Sequence, residues 1–261
     1  MAVWEDFEIE CTEYLNKTFG KYANFVHQGG SDSTVPDILV KTNKGTSFYI
    51  DAKHCPAQCG QFVLLPDITT NTFEYSRLNS TRINVYAQKI MNHMNNYFED
   101  FKEAGTGGKE IVLDDGDDTF AKWIISTYKS NGVKYFITND YVILPVDDFQ
   151  WHFNVSAKYR IKRSGSSNTG RARIVEIINY IRSHGYAISD TRTVGDKLFV
   201  RSQVALHNKR FIYQGYEYMF SLRDNEFEIR KLSNTFNANV IFSINKKRAS
   251  GLTREQFAKE L

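Results

Sequence analysis

Two aspartates and a lysine offer the plainest chemistry in this sequence. Asp37 follows Pro36 in one strand-like run, and fourteen residues later Asp51-Ala52-Lys53 closes a second. Residues two apart in a strand share a face, so Asp51 and Lys53 project together and the Ala52 side chain faces the other way. If the two strands pair, Asp37 and Asp51 come close enough to share one hard cation. Carboxylate oxygens with few other protein ligands suit Mg²⁺, which keeps several of its waters. Two neighbouring carboxylates repel each other without a cation, and Lys53 offsets only one of the two charges. A lysine beside such a centre can orient a water or stabilise negative charge on a phosphate. The plainer reading of D-x-K is a pair of exposed strand residues joined by a weak ion pair.

A third carboxylate lies upstream. Trp4, Glu8, Cys11 and Leu15 fall at i, i+4, i+7 and i+11, which puts Glu8 on the apolar stripe of a helix. An inward carboxylate needs a partner, and a metal site is one. Glu10, beside Phe7 and Tyr14, is the alternative. Glu5 and Glu13 are expected in solvent. Farther along, residues 156–173 (SAKYRIKRSGSSNTGRAR) hold six cations and no acid: Lys158, Arg160, Lys162, Arg163, Arg171 and Arg173. With Asn168 among them, such a segment can neutralise phosphates and reach base edges. Lys246-Lys247-Arg248 forms a second, shorter basic cluster.

Pro36-Asp37 followed by Asp51-Ala52-Lys53 resembles the PD-(D/E)xK nuclease signature in its D-x-K form. The likeness extends upstream. Phe7-Glu8, Cys11 and Tyr14-Leu15 resemble the first helix of Mrr-like restriction nucleases and archaeal Holliday-junction resolvases. Gly29-Gly30-Ser31 shortly before Pro36 is similar to the resolvases too. The resemblance covers about the first 65 residues by motif. It implies that Asp37 and Asp51 are metal ligands with the backbone carbonyl of Ala52, that Lys53 is the catalytic lysine, and that Glu8 is the helix carboxylate completing the shell. Gln61 resembles a downstream glutamine of some members, and Ser31 is a further auxiliary residue.

The implied activity is that of a type II-like restriction endonuclease. It would hydrolyse phosphodiester bonds of double-stranded DNA at a specific sequence, with Mg²⁺ as cofactor and Mn²⁺ as substitute. One site cuts one strand, so duplex cleavage implies a homodimer of two-fold symmetry. A DNA methyltransferase is the expected functional companion. Two other readings stand beside it: a structure-selective nuclease of the junction-resolving or repair kind, and a non-catalytic DNA-binding protein on a nuclease fold.

The elements that must position these groups are legible from periodicity. Residues 3–19 read as a helix stopped by Gly20, and residues 24–28, 36–41 and 46–53 as strands, the last two joined by a turn at Asn43-Lys44-Gly45. Another strand is expected at Gln61 to Leu65. Residues 81–104 carry a long helical stripe with Thr81 as its cap, and 117–131 a second. Strands follow at 133–138 and 141–144. The order gives an α/β class: a restriction-endonuclease-like mixed central sheet flanked by helices, with a C-terminal α+β DNA-binding region. Ser164 to Gly170 reads as a linker or mobile loop. The expected domains are 1–163, the nuclease, and 164–261, a basic recognition region with a helix at 171–184, strands through 196–245 and a short closing helix.

Charge supports that division. Residues 1–150 hold 13 Lys and Arg against 21 Asp and Glu, a net of −8, whereas residues 151–261 hold 20 against 9, a net of +11. A basic part suggests a polyanion partner. With 261 residues, 41% hydrophobic and 24% charged, the chain can bury a sizeable core. No apolar run exceeds four residues, which argues against a membrane span. MAVWEDFEIE carries no signal-peptide pattern, and three cysteines fit a reducing interior, so a cytoplasmic location is expected. His54, Cys55 and Cys59 make a weak case for zinc, and Asp114 to Asp118 reads as a solvated acidic turn.

Overall fold

The computed structural model of the protein describes residues 3–28, 35–248 and 250–261, and all of their side chains except those of residues 3–5, 163–164 and 234–235. Two compact units divide the chain. The first comprises Met1–Ile161 with Ala238–Leu261, and the second Lys162–Asn237.

The first unit opens with α1 (Val3–Phe19), whose Phe7, Cys11, Leu15 and Phe19 bury on one face. Then come β1 (Ala23–His27), β2 (Ile38–Thr42) and β3 (Ser47–Lys53). The Asn16 side chain donates to the Phe25 carbonyl at 2.8 Å and accepts from the Phe25 amide at 3.2 Å, which ties α1 to β1. Gly45, at φ +86°, makes the tight β2–β3 turn that a side chain would strain. The chain continues through β4 (Ala57–Asp67), β5 (Thr72–Tyr75), α2 (Val85–Asn96), α3 (Phe98–Phe101), β6 (Lys109–Ile111) and α4 (Gly116–Ser130). It then forms β7 (Val133–Thr138), β8 (Val142–Pro145), α5 (Phe149–His152) and β9 (Phe153–Ser167).

The central sheet runs β1-β2-β3-β7-β8. Its β3–β7 pairing is parallel and the other pairings are antiparallel, the mixed sheet expected from the sequence. Alternation along β3 feeds two cores. Phe48, Ile50 and Ala52 join the α1 side, while Tyr49 packs toward α4. On that second side Trp123 stacks on Phe242 at 4.4 Å and packs against Phe62.

The second unit holds α6 (Ile174–Ser183), β10 (Ile188–Val194), β11 (Lys197–Ser202), β12 (Arg210–Tyr213), β13 (Tyr216–Arg223) and the first part of β14 (Glu226–Lys246). Its strands run β10-β11-β14-β13-β12, and α6 buries Ile174, Ile177 and Ile181 against Leu198, Val200, Phe220 and Ile229. The later part of β14 pairs with β4 in the first unit, and α7 (Arg254–Glu260) follows, its start closed by a capping box from Thr253 and Gln256.

Three expectations change. Residues 238–261, placed with the basic C-terminal region, pack in the first unit, because Val240, Phe242, Ile244, Phe257 and Leu261 fill its cores. The stretch 164–167, expected in a mobile loop, continues β9, where Arg230 of β14 donates to the Ser166 hydroxyl and carbonyl oxygens. The long helix expected over 81–104 starts only after Asn84, whose side chain accepts from the Tyr86 and Ala87 amides, and it breaks at Tyr97. Thr81 hydrogen-bonds the Tyr75 hydroxyl instead. Among the described residues no helix is long and apolar enough to cross a membrane.

Candidate active site

β3 delivers Asp51 and Lys53 to one face of the central sheet, with Ala52 buried on the other, as strand alternation requires. Asp37 sits just before β2, whose Ile38 pairs with Ile50 of β3. Its Oδ2 accepts from the Ala52 amide at 2.8 Å, which fixes the carboxylate over the end of β3. The Asp37 charge acts on the Asp51 carboxyl, and the Lys53 ammonium rests against Asp51 Oδ2. These three groups, with Glu8 and Gln61, line a cavity of about 640 Å³.

The electrostatics follow from burial. Asp51 is 5% exposed, and its carboxyl is pushed up to about 7 by desolvation first and the Asp37 charge second, against the pull of Lys53. Asp37 is also raised, by burial, with Glu8 adding to the effect and Lys53 and the Ala52 amide opposing it. Burial would lower the Lys53 ammonium, but the Asp51 and Asp37 carboxylates hold it well above its ordinary range. Lys53 therefore stays charged, while two carboxyls compete for one counter-charge.

Glu8 lies 8% exposed on α1 and faces the same cavity, whereas Glu10 is exposed and lines a separate depression with Asp6 and His54. The Glu8 carboxylate accepts from His27 Nε2 at 3.1 Å, a partner that the sequence reading did not name. Gln61, on β4, reaches the cavity wall beside Gln58 and Asn239. Ser31, with Gly29 and Gly30, falls outside the described residues.

The cavity contains groups that periodicity had consigned to the core. Tyr128 of α4 lies 5.6 Å below the Lys53 ammonium, measured to the ring centre, and its hydroxyl is within 3.7 Å of the Cys59 sulfur. Burial and the Asp51 charge hold that hydroxyl far above its ordinary range, and burial pushes the Cys59 thiol up to about 12, so both stay protonated. Gly60, at φ +90°, lets β4 pass close to the Trp123 ring.

The donor set can be tested for fit to a divalent ion. Asp51 Oδ2 is buried and has no hydrogen bond of regular geometry. The two neighbouring carboxylates of Asp37 and Asp51 supply hard oxygens only, which suits Mg²⁺ or Mn²⁺ rather than a soft metal. Among the described residues no set of three or more His, Cys, Asp and Glu side chains is arranged around one point, so waters must complete such a shell. The residues fit the ion.

The expected DNA contacts do not form one loop. Lys158, Arg160 and Lys162 alternate along the outward side of β9. Asn168 accepts from Arg230 at 2.6 Å and donates to Asp196, a structural tie. Arg171 is exposed before α6, and Arg173 stacks over the Tyr216 ring at 4.6 Å. The side chain of Arg163 is outside the described set.

No protein-family model and no curated protein matches the sequence. Among solved structures the chain is similar to the HhaI endonuclease in complex with DNA, at 38% identity, 100% coverage of both chains and a TM-score of 0.74. The mixed α/β architecture is thus a restriction-endonuclease-like fold.

Proposed function

Because the chain belongs to the family of the HhaI endonuclease, we propose that it is a DNA endonuclease of the type II restriction kind, cutting double-stranded DNA at a specific sequence with Mg²⁺. The observation that carries this reading is the convergence of Asp37, Asp51 and Lys53 on one cavity. Asp37 and Asp51, with the Ala52 carbonyl, would hold the ion, and Mn²⁺ would serve in its place. When bound, the ion supplies Lewis acidity and cancels phosphate charge.

The chain's own groups do the rest. Phosphodiesters resist hydrolysis because their anionic oxygens repel a nucleophile. Lys53, held charged by its carboxylate neighbours, presents an ammonium that orients an attacking water or stabilises charge building on the phosphoryl oxygens. The Ala52 amide fixes Asp37, and Tyr128 walls the lysine from below, so neither carboxylate nor ammonium must reorganise during the reaction. Glu8, tied to His27, adds negative charge at the rim of the cavity. A homodimer would supply a second site for the other strand. A DNA methyltransferase protecting the same sequence is the companion this activity requires.

The test is incubation of the protein with plasmid and phage DNA, with Mg²⁺ or with EDTA. Discrete fragments that need Mg²⁺ are expected. Cutting confined to branched substrates would make the protein a structure-selective nuclease, and retardation without cutting would overturn the enzymatic reading.

A further inference from the structure

Glu8 is a buried carboxylate in an acidic neighbourhood, and an imidazole holds it there. It lines the catalytic cavity with Asp37 and Asp51, and its charge works against the ionised form of Asp37. A carboxylate so placed, at the end of a long rotating side chain, gains by swinging away from Asp37 into water. His27 opposes that swing. Its Nε2 meets Glu8 Oε2 at 3.1 Å, and because a carboxylate only accepts, that nitrogen is the donor. Among the described residues the second oxygen of Glu8, Oε1, has no hydrogen bond.

The backbone sets the imidazole at the level of Asp37. His27 closes β1 and pairs with Ile38, the residue after Asp37. The next amide, that of Gln28, donates to the Asp37 carbonyl at 2.7 Å. On the helix side, α1 is joined to β1 through the Asn16 side chain and the Phe25 backbone, and the Thr12 hydroxyl donates to the Glu8 carbonyl at 2.8 Å. The two elements that carry Glu8 and His27 are thus fastened to each other, and β1 is fastened to Asp37. Yet Glu8 does not share a centre with the two aspartates, for among the described residues no three such side chains surround one point. The route from Glu8 to an ion at Asp37 and Asp51 therefore passes through a water, and Mg²⁺ keeps several.

A partly exposed pair of this kind contributes little to stability, so stability alone does not account for a carboxylate kept beside Asp37. We propose that His27 is a positioning residue of the metal site: it holds the Glu8 carboxylate in the cavity, where Glu8 accepts from a water of the divalent ion bound at Asp37 and Asp51. Partners of this outer kind orient the groups they touch and thereby set metal affinity. His27 acts through Glu8 alone, so its effect exists only while Glu8 is present. The inference deepens the endonuclease reading and rests on it, because it requires an ion in this cavity.

The test titrates the full chain, without DNA, with Mn²⁺ and reads the free ion by electron paramagnetic resonance. His27→Ala and Glu8→Gln are each expected to weaken binding about tenfold. His27→Gln, whose amide still donates to Glu8, should stay within about threefold of the wild type. The double variant His27→Ala/Glu8→Gln should bind no more weakly than Glu8→Gln, because both changes cut one path. A merely structural histidine gives additive losses and no rescue by glutamine. In single-turnover cleavage, His27→Ala should raise the Mg²⁺ concentration for half-maximal rate by about tenfold, with duplex affinity in EDTA unchanged. A folded His27→Ala that binds Mn²⁺ as tightly as the wild type, or more tightly, would overturn the proposal, and so would additive losses in the double variant. Should His27→Ala not fold, Glu8→Gln decides: wild-type Mn²⁺ affinity in that variant refutes the inference. Wild-type protein that takes up no Mn²⁺ fails the underlying metal reading, whereas uptake indifferent to His27 fails this inference alone.

Discussion

Replacing Asp51 by asparagine should stabilise the metal-free protein above neutral pH while removing its activity. The wild-type carboxyl sits at about 7 in the folded chain against an ordinary 3.8. A raised folded value means that the fold favours the protonated form. The associated stability is fully present below about pH 4 and is lost as the pH rises through 7. At 1.36 kcal/mol per pH unit the loss approaches about 4 kcal/mol, a large part of a typical domain's net stability. Asparagine has the shape of the protonated acid and does not titrate. The stability difference between Asp51→Asn and wild type should therefore be near zero at pH 4, open between pH 4 and 7, and level off above that. Urea denaturation in EDTA across pH 4–8.5 measures it. Saturating Mg²⁺ should then stabilise the wild type and leave the variant unmoved. A pH-independent difference, or a variant less stable than wild type at pH 8, would show that the Asp51 carboxyl is not raised in the folded chain.

Other expectations follow from the same geometry. Mg²⁺ binding should release close to one proton per ion below pH 6 and almost none above pH 8, because binding forces the Asp51 carboxyl to ionise; calorimetry in buffers of different ionisation enthalpy reads this directly. Gly60→Ala places a methyl 2.8 Å from the Trp123 ring at φ +90° and should cost about 1–3 kcal/mol in urea denaturation. Phe242→Ala should cost about 3–5 kcal/mol by thermal denaturation, since Phe242 packs against Phe62, Phe120 and Trp123 in the fully buried core.

The convergence of Asp37, Asp51 and Lys53 on one cavity was legible because strand alternation is a strict rule. Given Asp51 and Lys53 two apart, a shared face follows, and Glu8 on an apolar helix stripe points to the interior by the same kind of argument. His27 and Tyr128 were not legible. Tyr128 lies on the inward face of α4, and only the packing of α4 against the central sheet makes it a neighbour of Lys53 rather than a core ring. The serine- and glycine-bearing stretch after Arg163 has a loop's composition, yet β9 extends to Ser167, because tertiary partners such as Arg230 on Ser166 outweigh local propensity. The tie of His27 to Glu8 was hidden for a related reason. Its members come from a strand and a helix, and only the packing of α1 on β1 brings them together. Sequence spacing holds no trace of such a pairing.

The most direct test of the account compares single-turnover cleavage of the mapped site by the wild type and by Lys53→Met in saturating Mg²⁺, with duplex affinity measured alongside. A fall in rate on the order of a thousandfold or more is expected, with affinity changed by only a few fold, because the ammonium acts on the reacting phosphate and not on docking. A variant that cuts at the wild-type rate would contradict it.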